Sequence, residues 1–353
     1  MAGIQVIEIA QQSEWEQCIA KFPRHDVYFT PGYVKAFWEN GDGDPLLLYY
    51  EGEAMQAMNI VMKRPVPVLQ KESAEDEALS KYCDFVTPYG YGGFLLKGDT
   101  CQAEKEKLAR IYLDFCRDHK VVAEFNRYHP VIDNAHGLEC LYQVIDLGKT
   151  VCMDLSSKEK IWENLSSKNR NLIRKAQKSN VRIYWGREPG IFAEFEKMYH
   201  TTMDKVGADG YYYFSKEFYD SILYDLKENA LMFYAKLNEE IIAMSIILFG
   251  GGQMHYHLSA SRKEFQNLAP TNLLLYEAAC FGCAMGLKTF HLGGGLGSRQ
   301  DHLYHFKKQF NRQEDCQFSI GRLIVDEQIY NRLWTLNFGG KETGFFPAYR
   351  AKE

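Results

Sequence analysis

Two α/β domains of one architecture, placed in tandem, are what this sequence predicts. Three observations carry that reading. The chain has 353 residues, long for one hydrophobic core and comfortable for two. Its hydrophobic and charged fractions, 46% and 25%, are those of a globular chain and exclude disorder. Its two halves also echo one another, and an internal echo is the signature of a repeated unit. The predicted domains are 1–150 and 151–353, joined near "YQVIDLGKTVCMDL", Tyr142 to Leu155.

The echo starts with two hairpins. "PLLLYYEGEAMQAMNIVMKR" (Pro45 to Arg64) and "ALMFYAKLNEEIIAMSIILF" (Ala230 to Phe249) each read as apolar run, short polar turn, apolar run. A third strand is expected at "YGYGGFLL", Tyr89 to Leu96, and its counterpart at "MHYHLSAS", Met254 to Ser261. Lys63 to Lys81 then reads as a polar insertion. A helix follows in each half, from about Cys101 to Arg117 and from about Thr271 to Met285, the second closed by Gly286. A strand ends each series, Val121 to Asn126 and Lys288 to Leu292. The shared order is β-β-β-α-β, which predicts a mixed sheet flanked by helices in each domain.

The net charge of −5 argues against non-specific binding to DNA or other nucleic acid, while leaving room for a local basic patch. The first residues, "MAGIQVIEIAQQSEW", lack a basic region and an apolar core, so no signal peptide is expected. No run approaches the roughly 18 apolar residues of a membrane span. Nine cysteines lie mostly in apolar runs, which fits free thiols in a reducing cytoplasm. Cys280 and Cys283 form a lone C-x-x-C inside an apolar helical run, where packing is the expected role. His255 and His257, two apart on one strand, share a face. They lack a third ligand, so no metal site is expected.

A basic helix opens the second half, "SSKEKIWENLSSKNRNLIRKAQKSNVRIYWG" from Ser156. Ile161, Leu165, Leu172 and Ala176 fall on one stripe, with Arg170, Arg174 and Lys178 roughly opposite. This face fits a solvated surface. It equally fits a phosphate-binding or tRNA-facing one, because cations one turn apart can reach one polyanion together.

Several segments resemble the FemABX peptidyltransferases and FemAB-like acyltransferases. "LSSKNRNLIRKAQKSNV" (Leu165 to Val181) resembles the start of their second domain. "HYHLSASRKEFQNLAPTNLLLYEAACFGCAMGLKTFHLGG" (His255 to Gly294) resembles its strand-loop-helix-strand core, and "HFKKQF" (His305 to Phe310) its Phe-Lys motif. "TPYGYGGFLL" (Thr87 to Leu96) and "FNRYHP" (Phe125 to Pro130) resemble the first domain. The resemblance implies two GNAT-like domains. It also implies transfer of an aminoacyl group from aminoacyl-tRNA to an amine of a peptidoglycan precursor. Looser relatives use acyl-CoA on small amines or amino sugars. The chain has no room for the helical arm of FemA and FemB, so the donor stays open between tRNA and CoA. Either would be a co-substrate, with no tightly bound cofactor. A silent binding protein for a nucleotide-sugar or protein partner is the reading from another class.

N-acyl transfer asks for a stabilised oxyanion, a proton acceptor and two positioned substrates, without a nucleophilic side chain. The resemblance makes Lys307 the cation, with Phe306 packing its surroundings; the plain alternative for Lys307 and Lys308 is an exposed helix face. His305, with Asp301 and His302, stands near enough in sequence to receive a proton. Gly293, Gly294 and Gly295 follow a strand beside which GNAT-like sheets splay, and they would line the donor's gap or form a simple loop. They lack a Walker Lys-Ser/Thr pair, which excludes a P-loop. The helix start at Thr271-Asn272 fits an anion site or plain capping, after a loop, Arg262 to Asn272, without glycine. Tyr89 and Tyr91 fit a lip stacking on a nucleotide or sugar, or an aromatic cluster at a strand edge.

Overall fold

The computed structural model describes residues 3–69 and 74–351. The chain forms two compact units, Met1–Leu147 with Phe318–Glu353, and Gly148–Gln317. In chain order the first unit contains β1 (Ile4–Glu8), α1 (Gln12–Ala20), α2 (Pro31–Glu39), β2 (Asp44–Glu51), β3 (Met55–Pro65), α3 (Ala74–Glu77), β4 (Cys83–Val86), β5 (Leu95–Gly98), α4 (Gln102–Asp118) and β6 (Val121–Arg127). There follow β7 (Gln143–Asp154), α5 (Lys158–Asn164), α6 (Ser167–Lys178), β8 (Val181–Gly186), α7 (Pro189–Val206), α8 (Lys216–Tyr224), β9 (Ala230–Leu237), β10 (Glu240–Gly250), β11 (Gln253–Ser261), α9 (Pro270–Ala284), β12 (Thr289–Gly293) and α10 (His302–Lys308). β13 (Cys316–Ile324) and α11 (Glu327–Phe338) bring the chain back to the first unit. Part of the expected polar insertion, 70–73, lies outside the described residues.

The two sheets have the same plan. In the first unit the order is β1-β2-β3-β4-β6-β13, with β5 paired to β3. In the second it is β8-β9-β10-β11-β12-β7. Each has two antiparallel hairpin pairings, β2–β3–β4 and β9–β10–β11. Each then has one parallel step, β4–β6 and β11–β12, crossed by the helix α4 or α9. These are two GNAT-like units in tandem, as the repeated sequence order requires.

The units exchange one strand of chain. β7 follows the first unit's β6 in sequence, yet Val151–Asp154 pair with β12. β13 follows the second unit's helices, yet Ile320–Ile324 pair with β6. The tail therefore does not complete the expected 151–353 domain. Tyr330, Leu333 and Tyr349 pack on Val122 and Ala123 of the first unit. Arg64 reaches Asp84 at 2.9 Å, and Tyr349 and Arg350 bond the same buried carboxylate. A desolvated carboxylate needs such partners, so these contacts anchor the tail.

The expected third strand of the first unit is displaced. Pairing with β3 falls on Cys83–Val86 and again on Leu95–Gly98, while most of Tyr89 to Leu96 is loop. Gly90 and Gly93 have φ of +96° and +85°, outside strand geometry. The basic stripe is also shifted. Ser166 caps a new helix by accepting from Asn169 N, so α5 and α6 are separate. The phase resets at that break, and Ile173 rather than Leu172 enters the core. In the second unit Leu273, Leu274, Leu275, Ala278 and Ala279 of α9 pack against Val151, Phe233, Phe290 and Leu292. Burying each such leucine contributes about 1.5–3 kcal/mol.

Candidate active site

β11 and β12 stay together for three residue pairs only, Gln253–Thr289, Met254–Phe290 and His255–His291. Beyond His255, β11 runs on to Ser261 beside β10 alone. A bulge adds to the divergence: Ile246 faces Leu258 and Ile247 faces Tyr256, which leaves His257 as the extra residue. The sheet thus opens from Tyr256 onward. Gly293 ends β12 with φ of +80°, a left-handed conformation that glycine adopts without cost. A side chain on Gly294 would stand 2.9 Å from Lys149 O, and one on Gly295 2.3 Å from Asp301 Oδ1. All three glycines are therefore required by the backbone path at the mouth of the opening.

α10 carries Lys307 into this place. Its first turn is capped by Asp301, whose carboxylate accepts from Tyr304 N at 2.9 Å and from Leu296 N at 3.1 Å. These backbone donors hold the Asp301 carboxyl below its ordinary range. Lys307 is only 8% exposed. Its Nζ donates to Gly294 O at 2.7 Å and lies 5.9 Å from the centre of the Tyr256 ring. Burial lowers its pKa to about 8, against the raising effect of Asp301. Among the described residues Gly294 O is its one hydrogen-bond acceptor, so two ammonium protons remain uncommitted. The exposed-face alternative fails for Lys307. It fits Lys308 better, which pairs with Asp315 at 2.8 Å.

The other expected residues divide. Phe306 packs on the unit's core and edge-on against Phe310, and the ring that meets the lysine is Tyr256. Adjacent residues on a helix face different ways, which is why Phe306 does not hold its neighbour's stem. His305 and His302 are exposed, and Asp301 is committed to the cap, so α10 offers no buried proton acceptor beside Lys307. Buried His255 and His291 lie with ring centres 5.7 Å apart where the strands separate. Burial, then His255, pushes the His257 pKa down to about 3, so its ring is neutral.

Asn272 is not an anion ligand. Its amide donates to Asn169 Oδ1 at 2.8 Å, and Asn169 in turn donates to Gln309 O at 3.3 Å. α9 starts instead at Ala269 and Pro270, and Thr271 makes no cap bond. This link joins the starts of α6 and α9 to the end of α10, and the sequence pattern gives no sign of it. Arg170 is spent locally: it donates to the carbonyls of Leu165 and Trp162, at 3.0 and 3.4 Å, and so closes α5. Arg174 lies over Trp162, 5.1 Å from the ring centre, and is exposed with Lys168, Lys175 and Lys178. Tyr89 and Tyr91 belong to the first unit. Tyr89 stacks on Phe37 at 5.4 Å, and Tyr91 meets Tyr28 and His129 edge-on or tilted at 5.4 and 5.6 Å. Thr150, equally silent in the sequence, buries a hydroxyl with no hydrogen-bond partner among the described residues, and its methyl faces Gly294.

The fold has counterparts among known proteins. Residues 164–308 match the family model described as an acetyltransferase (GNAT) domain. No curated protein matches the chain in sequence. Among solved structures, FemX has a TM-score of 0.67 at 13% identity, over 92% of this chain and 98% of that one. A conserved protein of unknown function from Bacteroides thetaiotaomicron gives 0.59 at 11%, over 92% and 100%. The C-terminal domain (DUF2156) of a putative lysylphosphatidylglycerol synthetase from Agrobacterium fabrum gives 0.55 at 13%, over 89% and 92%. The chain is similar to FemX in fold, and the stretch that matches the GNAT model, 164–308, includes the open sheet and Lys307.

Proposed function

We propose that the protein is an N-acyltransferase of the FemABX type, with its chemistry in the second unit. The observation that carries this is the buried Lys307 ammonium, held on Gly294 O at the opening beside β12 with two protons uncommitted. When a neutral amine attacks the donor carbonyl, negative charge grows on the carbonyl oxygen. A preorganised cation in a dry site stabilises that charge far more than one in water. The three glycines, with the Thr150 methyl against Gly294, form the wall beside Lys307.

Aminoacyl-tRNA is the better supported donor. In the loop where GNAT acetyltransferases bind the CoA pyrophosphate, Arg262 and Lys263 are the cations and glycine is lacking. Arg262 pairs with Glu240 at 2.7 Å and lies 3.6 Å from Glu194, which leaves only Lys263 of the two for a phosphate. The exposed cations of α6 stand on the helix whose start bonds the start of α9. Such a face suits a polyanion. The acceptor is an amine, in the first instance that of a peptidoglycan precursor. Incubation of the protein with charged tRNA or acetyl-CoA, each with UDP-linked muropeptides or a panel of small amines, tests the reading by mass spectrometry. Acylated amine from charged tRNA is expected. Acyl-CoA as the only productive donor would reassign the donor, and no transfer from either would refute the activity.

A further inference from the structure

The first unit contains a cavity of about 380 Å³, within the range of about 300–1,000 Å³ usual for small-ligand sites. We propose that it binds a small anionic ligand: a carboxylate or phosphate monoester on an apolar, planar or branched body. Nothing in the acyl-transfer reading requires this site, and all of its walls come from the first unit.

Its floor is apolar and fixed. Phe22, Phe94, Ile132, Leu138 and Tyr142 are each buried and line it. Asn134 locks one wall to the next: its amide donates to the carbonyls of Gly92 and Phe94, at 2.9 and 3.1 Å, and its oxygen accepts from His129 N at 2.9 Å. Arg24 ties another by donating to Ile132 O at 2.7 Å. The cavity is thus held open by backbone-directed bonds and is preformed, which lowers the ordering cost of binding.

Its rim is cationic. Arg24, Lys97 and Lys105 line it, against one carboxylate, Asp133. His136, also at the rim, is already engaged by Glu139 at 3.3 Å and Asp146 at 3.5 Å. Among the described residues Lys97 and Lys105 make no ion pair, and Arg24 bonds only Ile132 O through its side chain. In a chain of net charge −5 this local excess is unlike the average surface. Thr100 and Lys105 flank the start of α4, a 17-residue helix whose N-cap, Cys101, supplies no side-chain cap. Asp99 accepts from Cys101 N at 3.0 Å and Glu104 stands in the first turn, so carboxylates already meet that helix start and the positive excess at the rim comes from the three side chains. An apolar floor beneath three cations selects an amphiphilic anion over a neutral or cationic ligand.

Calorimetric titration of the full chain with phenyl phosphate, phenylacetate and the neutral phenylacetamide tests this. At least one anion should bind saturably at one site, with the amide at least tenfold weaker. The tighter of the two anions identifies the head group. The double variant Lys97→Gln, Lys105→Gln alters side chains at the rim and leaves the floor intact, so its circular dichroism should be unchanged, and anion binding should weaken about tenfold or more. Absence of saturable binding by both anions would overturn the proposal. So would equal binding of the amide, or a folded double variant that binds like the wild type.

Discussion

Lys307 Nζ donates to the carbonyl of Gly294, thirteen residues earlier in the chain, at 2.7 Å. The bond fixes a buried cation at the end of β12, where the sheet has opened. If that cation stabilises the oxyanion, Lys307→Met should lower kcat by about a hundred- to a thousandfold, the usual effect of removing one preorganised partner. KM should change far less. Lys307→Arg should not restore turnover, because the site is packed around a narrow ammonium. Steady-state kinetics on the three proteins decides this; a Met variant with wild-type turnover would remove Lys307 from the mechanism.

The same burial sets a pH dependence with a defined sign. The folded pKa of Lys307 is lowered to about 8 from 10.5. The oxyanion role needs the protonated form, so kcat should fall as pH rises through about 8, and Lys307→Met should lose that limb. For stability, the unfolded lysine holds a proton between pH 8 and 10.5 that the folded one has released. Stability contributed by this group therefore rises with pH across that window. The full effect is on the order of 3 kcal/mol. Urea melts at pH 7 and pH 10 should show the wild type gaining on Lys307→Met. A constant difference between the two proteins at both pH values would contradict the burial of the charge.

Asn272→Ala leaves Asn169 Oδ1 without its donor in a buried setting. The expected cost is about 1–3 kcal/mol of stability. A second substitution, Asn169→Ala, should add less than its own separate cost, because both belong to one bond. Denaturant midpoints of the two single variants and the double check this. Full additivity would mean the two amides do not interact.

Much of this was legible in the sequence, for physical reasons. The hairpins, α4, α9 and the closing strands follow from alternation, helical periodicity and a glycine stop, which are local signals. The strand exchange was not legible, because β7 and β13 pair with β12 and β6, partners more than a hundred residues away in the chain that no local pattern specifies. Tyr89 to Leu96 has the composition of a strand, but Gly90 and Gly93 turn it into loop. The Phe-Lys motif singled out Lys307 as a candidate, whereas its burial and its contact with Tyr256 are long-range features that no local pattern carries. Asn272 reads as an anion site or a cap in sequence. It acts as a buried link, since Pro270 has already started the helix.

The basic face of α6 gives the test that separates the two donors. Arg170 closes α5, so the charges left for a polyanion are Lys168, Arg174, Lys175 and Lys178. Replacing Arg174, Lys175 and Lys178 with Gln should leave kcat near wild type and raise KM for charged tRNA. Every phosphate that is no longer neutralised should also reduce the slope of log affinity against log salt by about 0.7–0.9. The three positions together should therefore flatten it by about 2–3. Trp162 is deprived of its cation partner in the Arg174 change, so Arg174→Lys serves as a control that keeps the charge. A CoA donor carries few phosphates and predicts almost no change in slope. An unchanged KM and salt slope with charged tRNA would mean that this face is only solvated and that the tRNA, if bound, lies elsewhere.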